Sequence, residues 1–97
     1  MADDTRFAGR VAVVTGGAAG IGLAVARRIV AEGGRVAIWD RDPAAIEAAR
    51  GALGPETVGI ALDVADWPEV DAAAHATAER LGSIDVLVAS AGITGPN

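Results

Sequence analysis

Four apolar runs recur along the chain, starting near residues 11, 35, 57 and 85, and polar or helix-patterned segments separate them. The first run, Val11-Ala12-Val13-Val14, is β-branched or small throughout and shows no polar alternation, which predicts a strand buried on both faces, as in a parallel sheet. Residues 35–40 (Arg-Val-Ala-Ile-Trp-Asp), 57–62 (Thr-Val-Gly-Ile-Ala-Leu) and 85–89 (Asp-Val-Leu-Val-Ala) predict three more strands. Between them the apolar period changes to that of helices. Over residues 20–32 the stripe is Ile21, Ala24, Val25 and Ile29, with Arg27 opposite, Arg28 on the rim and Gly33-Gly34 as the stop. Leu23 and Val30 fall off that stripe and suggest cover on a second face. Asp42-Pro43 reads as the cap and first residue of a second helix carrying Ile46, Ala49 and Leu53, ended by Gly54-Pro55. Asp66-Trp67-Pro68-Glu69 predicts a capping box, Glu69 reaching back to the cap, before a third helix with Val70, Ala73, Thr77 and Leu81.

The order β-α-β-α-β-α-β implies an α/β fold with a parallel sheet. The first three strands are expected to lie 3-2-1, with the fourth on the far side of strand one. That reversal opens a crevice at the carboxyl ends of strands one and four, where open α/β sheets bind ligands. Two segments meet there: the glycine-rich turn after strand one, and Ser90-Ala91-Gly92 after strand four. In the first, Gly16, Gly17, Gly20 and Gly22 permit a tight turn and close approach of a ligand. A helix starting near Gly20 aims free N–H groups and its positive dipole end at the turn, which makes an anion cradle suited to a dinucleotide pyrophosphate.

Composition narrows the partners. The chain has 97 residues, 52% of them apolar, and a net charge of −5. All eight cationic side chains are arginine and no basic run occurs, which argues against nucleic acid. There is no cysteine and one histidine, so neither disulfide nor zinc chemistry is expected, and no metal. The acidic start, Asp3-Asp4, lacks the apolar core of a signal peptide, and no apolar run has the length of a membrane span. A cytoplasmic location is the expectation. Tyr and Lys are absent as well, so no acid–base step within these residues uses them.

The glycines at 16, 20 and 22 space as G-x-x-x-G-x-G, which matches neither G-x-G-x-x-G nor a P-loop. With Thr15, Asp40, Asp63-Val64 and Ala91-Gly92-Ile93, however, the chain resembles the short-chain dehydrogenase/reductase family from Gly9 to Thr94. The resemblance implies a Rossmann-type fold that binds NAD or NADP and transfers hydride between an alcohol and a ketone. Asp40, 18 residues after Gly22, suits the hydroxyls of the adenosine ribose and repels a 2′-phosphate. Arg41 pulls toward NADP and Ala19, where NADP-using relatives often carry a base, back toward NAD; NAD is preferred. Asp63 and Val64 are implied to frame the adenine; the alternative is that Asp63 caps the following loop, and the two roles can coexist. Ala89-Ser90-Ala91-Gly92 stands where the family has Asn-Asn-Ala-Gly, so the nicotinamide side is altered at Ala89 and Ser90. The expected cofactor-binding set is therefore Gly16, Gly20, Ile21, Gly22, Asp40, Asp63, Val64, Ala89, Ser90, Ala91 and Gly92, with no catalytic residue among them.

The family's chemistry uses a Ser and a Tyr-x-x-x-Lys pair. Neither Tyr nor Lys occurs here, so residues 1–97 are expected to be the N-terminal cofactor-binding half of a larger dehydrogenase, inactive alone and poorly soluble or partly folded. The parent is expected to be a homo-oligomer acting on a small-molecule substrate, without nucleic acid or membrane. Two other readings compete: a non-catalytic nucleotide-binding module or sensor, which the lack of Tyr and Lys fits, and a methyltransferase, which the glycine spacing disfavours. His75, Trp39 and Trp67 are taken as a surface histidine and two packing tryptophans.

Overall fold

The computed structural model describes residues 7–90. Seven elements follow in order: β1 (Val11–Thr15), α1 (Gly20–Ala31), β2 (Arg35–Asp40), α2 (Pro43–Leu53), β3 (Val58–Ala61), α3 (Trp67–Leu81) and β4 (Val86–Ala89). All three strand pairings are parallel, and the sheet order is β3-β2-β1-β4. The expected topology is thus observed, with β3 and β4 one or two residues shorter than the apolar runs.

β1 is central, and every residue in it is buried. Its side chains alternate between two cores, as a strand's period of two requires. Ala12 and Val14 join Ala26, Ile29, Val36, Ile38, Ile46 and Ala49 on the side of α1 and α2. Val11 and Val13 join Ala37, Trp39, Val58, Leu62, Ala73 and Leu81 on the side of α3. Burying a valine fully contributes roughly 1.5–3 kcal/mol, so one substitution in β1 weakens the sheet and a helix layer together.

α1 meets the sheet through a different stripe from the one its larger apolar residues suggest. Gly22, Ala26 and Ile29 are its buried positions, while Ile21 is 56% exposed. Gly22 and Ala26 are small enough for the helix backbone to lie close on the sheet. Leu23, Val25 and Val30 flank the contact, half-buried, and so give the helix its second covered face. The helix closes as expected: Gly33 takes φ +93°, and the N–H groups of Gly33 and Gly34 donate to the carbonyls of Val30 and Ile29 at 3.0 and 2.9 Å. Phe7 tucks against this core, its N–H donating to the Glu32 carbonyl at 2.9 Å. Arg28 pairs with the buried carboxylate of Glu32.

Asp42 caps α2 by accepting from Ala44 and Ala45 N–H at 3.0 and 3.3 Å, with Pro43 in the first turn. At α3 only half of the predicted box forms. Asp66 Oδ1 accepts from Glu69 N–H at 3.2 Å, but the Glu69 carboxylate accepts from Asp63 N–H at 3.1 Å instead of from Asp66. The Asp66 N–H is already committed to the Asp63 carbonyl at 2.9 Å, which leaves Glu69 free to stitch the preceding loop. His75 is exposed, as read from the sequence. The two tryptophans differ from each other. Trp39 is buried and its indole N–H donates to Thr77 Oγ1 at 3.2 Å. Trp67, in the first turn of α3, is 73% exposed and lies outside the core.

Candidate functional site

The turn between β1 and α1 is built by glycines with separate tasks. Gly16 and Gly20 hold φ of +67° and +60°, where a β-carbon is strained. Gly17 and Gly22 have ordinary φ but no room. A β-carbon on Gly17 would lie 2.7 Å from Ile38 Cδ1 and 2.9 Å from the Val14 carbonyl. On Gly22 it would lie 2.2 Å from the Gly16 carbonyl oxygen and 2.5 Å from Ser90 Oγ. Gly22 is therefore a packing glycine that seats α1 on the turn and on the end of β4.

A second tie comes from β2. Asp40 closes that strand, and its Oδ2 accepts from the Ala18 N–H of the glycine turn at 3.2 Å, while Oδ1 accepts from Asp42 N–H at 3.2 Å. The Gly16 N–H donates to the Trp39 carbonyl at 2.7 Å, so two bonds fix the turn against the end of β2. Each carboxylate oxygen has a further lone pair for a hydroxyl donor.

Above these residues lies a cleft of about 390 Å³ at the carboxyl ends of β1, β2 and β3. The turn supplies Gly16, Ala19 and Gly20; Asp40 and Arg41 stand on the β2 side, and Leu62 and Val64 close the β3 side. Its volume falls within the range of small-molecule sites. The start of α1 faces it, with the helix N-terminus uncapped by any side chain, so the first-turn N–H groups are free for an anion.

Of the residues expected from the sequence, Gly16, Gly20, Asp40 and Val64 line this cleft. Gly22 and Ser90 sit behind the turn instead: Ser90 is 2% exposed, and its hydroxyl donates to the Thr15 carbonyl. The Ser90 hydroxyl thus has a structural partner already. Ile21 is exposed at the start of α1, beside the cleft lining. Asp63 caps its loop, Oδ1 accepting from Ala65 N–H at 2.9 Å, a role that can coexist with a ligand contact through the other oxygen. Ala89 is exposed at the end of β4, in register with Thr15. Ala91 and Gly92 lie outside the described residues.

The sequence reading passed over the Ala18 N–H, Trp39 and Leu62. Leu62 was visible only as a strand's end, but its N–H donates to the Asp40 carbonyl at 2.9 Å, which sets it beside Asp40. The signal available was the parallel register: Asp40 pairs with Ala61, so the next residue shares the cleft. The chain contains no group of three or more His, Cys, Asp or Glu placed to hold a metal among the described residues. Nor is any described helix long and apolar enough to cross a membrane.

Residues 10–97 match the model of the short chain dehydrogenase family. The chain belongs to that family. Among curated short chain dehydrogenase relatives, a 2-dehydro-3-deoxy-L-rhamnonate dehydrogenase (NAD(+)) of Sphingomonas sp. is 52% identical over 90 residues, covering 93% of this chain and 36% of that protein. A galactitol 2-dehydrogenase of Agrobacterium fabrum is 42% identical over 88 residues, covering 91% of this chain and 34% of that one. In structure, the chain is similar to a 3-ketoacyl-(acyl-carrier-protein) reductase from Brucella melitensis solved in complex with NADH. The TM-score is 0.79 and the identity 36%, over 82% of this chain and 33% of that one. The short chain dehydrogenase segment in hand thus spans about a third of the length of these relatives.

Proposed function

We propose that the chain forms the dinucleotide site of an NAD-dependent oxidoreductase that interconverts an alcohol and a ketone by hydride transfer. The observation that carries this reading is the cleft with Asp40 on its wall and the α1 N-terminus facing it. A nicotinamide dinucleotide fits what the chain offers. The first-turn N–H groups of α1 and the Gly16–Gly20 turn would hold the pyrophosphate, Asp40 the adenosine ribose, and Leu62 and Val64 would face the adenine. Bound there, the cofactor supplies the hydride chemistry. The chain's residues bind and orient it, and Gly22 with Ser90 keeps the turn seated.

NAD is favoured over NADP by Asp40. Two unit charges about 4–5 Å apart at an effective dielectric of about 20 repel by roughly 3–4 kcal/mol before screening. Arg41 offsets part of this from the same wall. The relatives named for a deoxy sugar acid and for galactitol support a polyhydroxylated substrate for the whole enzyme. A cytoplasmic homo-oligomer completes the proposal. A second reading, a nucleotide-binding module without chemistry of its own, draws on the lack of Tyr and Lys in these 97 residues.

Calorimetric titration of the chain with NADH and NADPH tests the site. NADH is expected to bind at least about tenfold tighter, a difference of about 1.4 kcal/mol. Equal or tighter NADPH binding overturns the NAD assignment, and failure of both nucleotides to bind overturns the site. Oxidation of a polyol with NAD, assayed on the whole enzyme that carries this segment, separates the enzyme from the module.

A further inference from the structure

At the opposite end of the sheet, where β2 and β3 begin, two adjoining cavities share Arg35, Pro55, Glu56 and Thr57. One, of about 170 Å³, has an apolar wall of Val30, Val36 and Leu53. The other, of about 370 Å³, is lined by three arginines, Arg35, Arg50 and Arg80. On a chain of net charge −5, three cations line this cleft against one acid in its lining, Glu56.

Two of the guanidinium groups are fixed by the backbone. Arg35 Nη1 donates to the Leu81 carbonyl at 2.9 Å, and Arg50 Nε donates to the Thr57 carbonyl at 3.0 Å. Arg50 also reaches Glu47 at 3.1 Å. Each bond uses one of five N–H donors, so oriented donors remain on both groups. Leu81 follows Arg80 in the chain, so the anchored end of Arg35 sits beside the root of Arg80. Arg80 itself makes no ion pair among the described residues.

A cationic cleft that shares a wall with a small apolar one matches a specific ligand chemistry. We propose that this end of the sheet is a binding site for a small amphiphilic anion, a carboxylate head on a short apolar chain. The head takes the remaining donors of Arg35, Arg50 and Arg80 in charge-assisted hydrogen bonds. The chain lies against Val30, Val36 and Leu53. The site is separate from the dinucleotide cleft, which lies at the carboxyl ends of the same strands.

Calorimetric titration with hexanoate, acetate and inorganic phosphate tests the proposal on the full chain and on Arg80→Gln. Arg80 has no partner to lose among the described residues, so the substitution is expected to leave the fold intact, which an unchanged NADH affinity or thermal midpoint verifies. Saturable hexanoate binding is expected, weakened about tenfold in Arg80→Gln, the loss of roughly one charge-assisted contact. Acetate is expected to bind at least about tenfold more weakly than hexanoate, because it lacks the buried methylenes. No saturable hexanoate binding, equal affinity in Arg80→Gln, or acetate or phosphate binding as tightly as hexanoate would each overturn it.

Discussion

Replacing Asp40 with alanine tests whether this carboxylate holds the glycine turn as well as facing a ligand. The substitution removes the acceptor of two N–H groups, those of Ala18 and Asp42, each at 3.2 Å. The two losses are unequal. Asp42 is exposed, and its N–H turns to water at little cost. Ala18 is 6% exposed, so its N–H is left without a partner. A hydrogen bond to a charged acceptor is worth about 1.5–3 kcal/mol, and the half-buried position of Asp40 places this one near the lower end, about 1.5–2 kcal/mol. For a domain of this size each kcal/mol moves the thermal midpoint by about 4–8 °C, so a fall of roughly 6–16 °C is expected without any nucleotide. Asp40→Asn retains an acceptor oxygen for Ala18 and should fall by less than about half as much. Circular dichroism melts of the three proteins measure this directly. If Asp40→Ala melts within about 2 °C of the parent, below the shift of about 0.5 kcal/mol, the carboxylate does not tether the turn.

Glycines elsewhere divide into those the fold needs and one it does not. Gly51 lies in α2 with open space where its β-carbon would be, so Gly51→Ala should raise stability by about 0.5–1 kcal/mol in denaturant titration. Gly22→Ala forces a β-carbon to 2.2 Å from the Gly16 carbonyl oxygen, which is backbone and cannot yield, and to 2.5 Å from Ser90 Oγ. Its cost should reach or exceed the upper end of the about 1–3 kcal/mol typical of overpacking, with nucleotide binding lost alongside; a soluble, parent-like melt would refute the packing role. Thr77→Val strands the buried Trp39 indole N–H and should cost about 1–3 kcal/mol by the same titration, a neutral result meaning that the bond contributes nothing.

The sheet order was readable because all-apolar strands separated by helix-patterned segments admit few parallel arrangements. Caps at Asp42 and glycine stops at Gly33 and Gly54 were equally legible, since they are local in sequence. What escaped depends on close approach between distant segments. The buried stripe of α1 runs through Gly22 and Ala26, and hydrophobic patterning points to larger residues such as Ile21. Asp40 was legible as a ligand-facing acid, but its bond to Ala18 spans 22 residues and a turn no pattern encodes. The expected strand order set Ser90 near the end of β1, but no pattern in the sequence says that its hydroxyl turns onto the Thr15 carbonyl. Glu69 shows the limit at short range, since its spacing permitted two acceptor geometries and the loop chose the one at Asp63.

The opposed settings of Trp39 and Trp67 give the chain a built-in optical readout. With no tyrosine present, all near-ultraviolet emission of this chain comes from those two indoles. Trp67, out in solvent, is expected to emit to the red and to be open to iodide quenching; Trp39, enclosed and hydrogen-bonded, is expected to emit to the blue and to be shielded. Loosening of the first turn of α3 would alter the open population, and a disturbance of the cleft that Trp39 lines would alter the shielded one. A single quenching series can therefore tell a change at the cleft from local unraveling, without a label and without changing a residue.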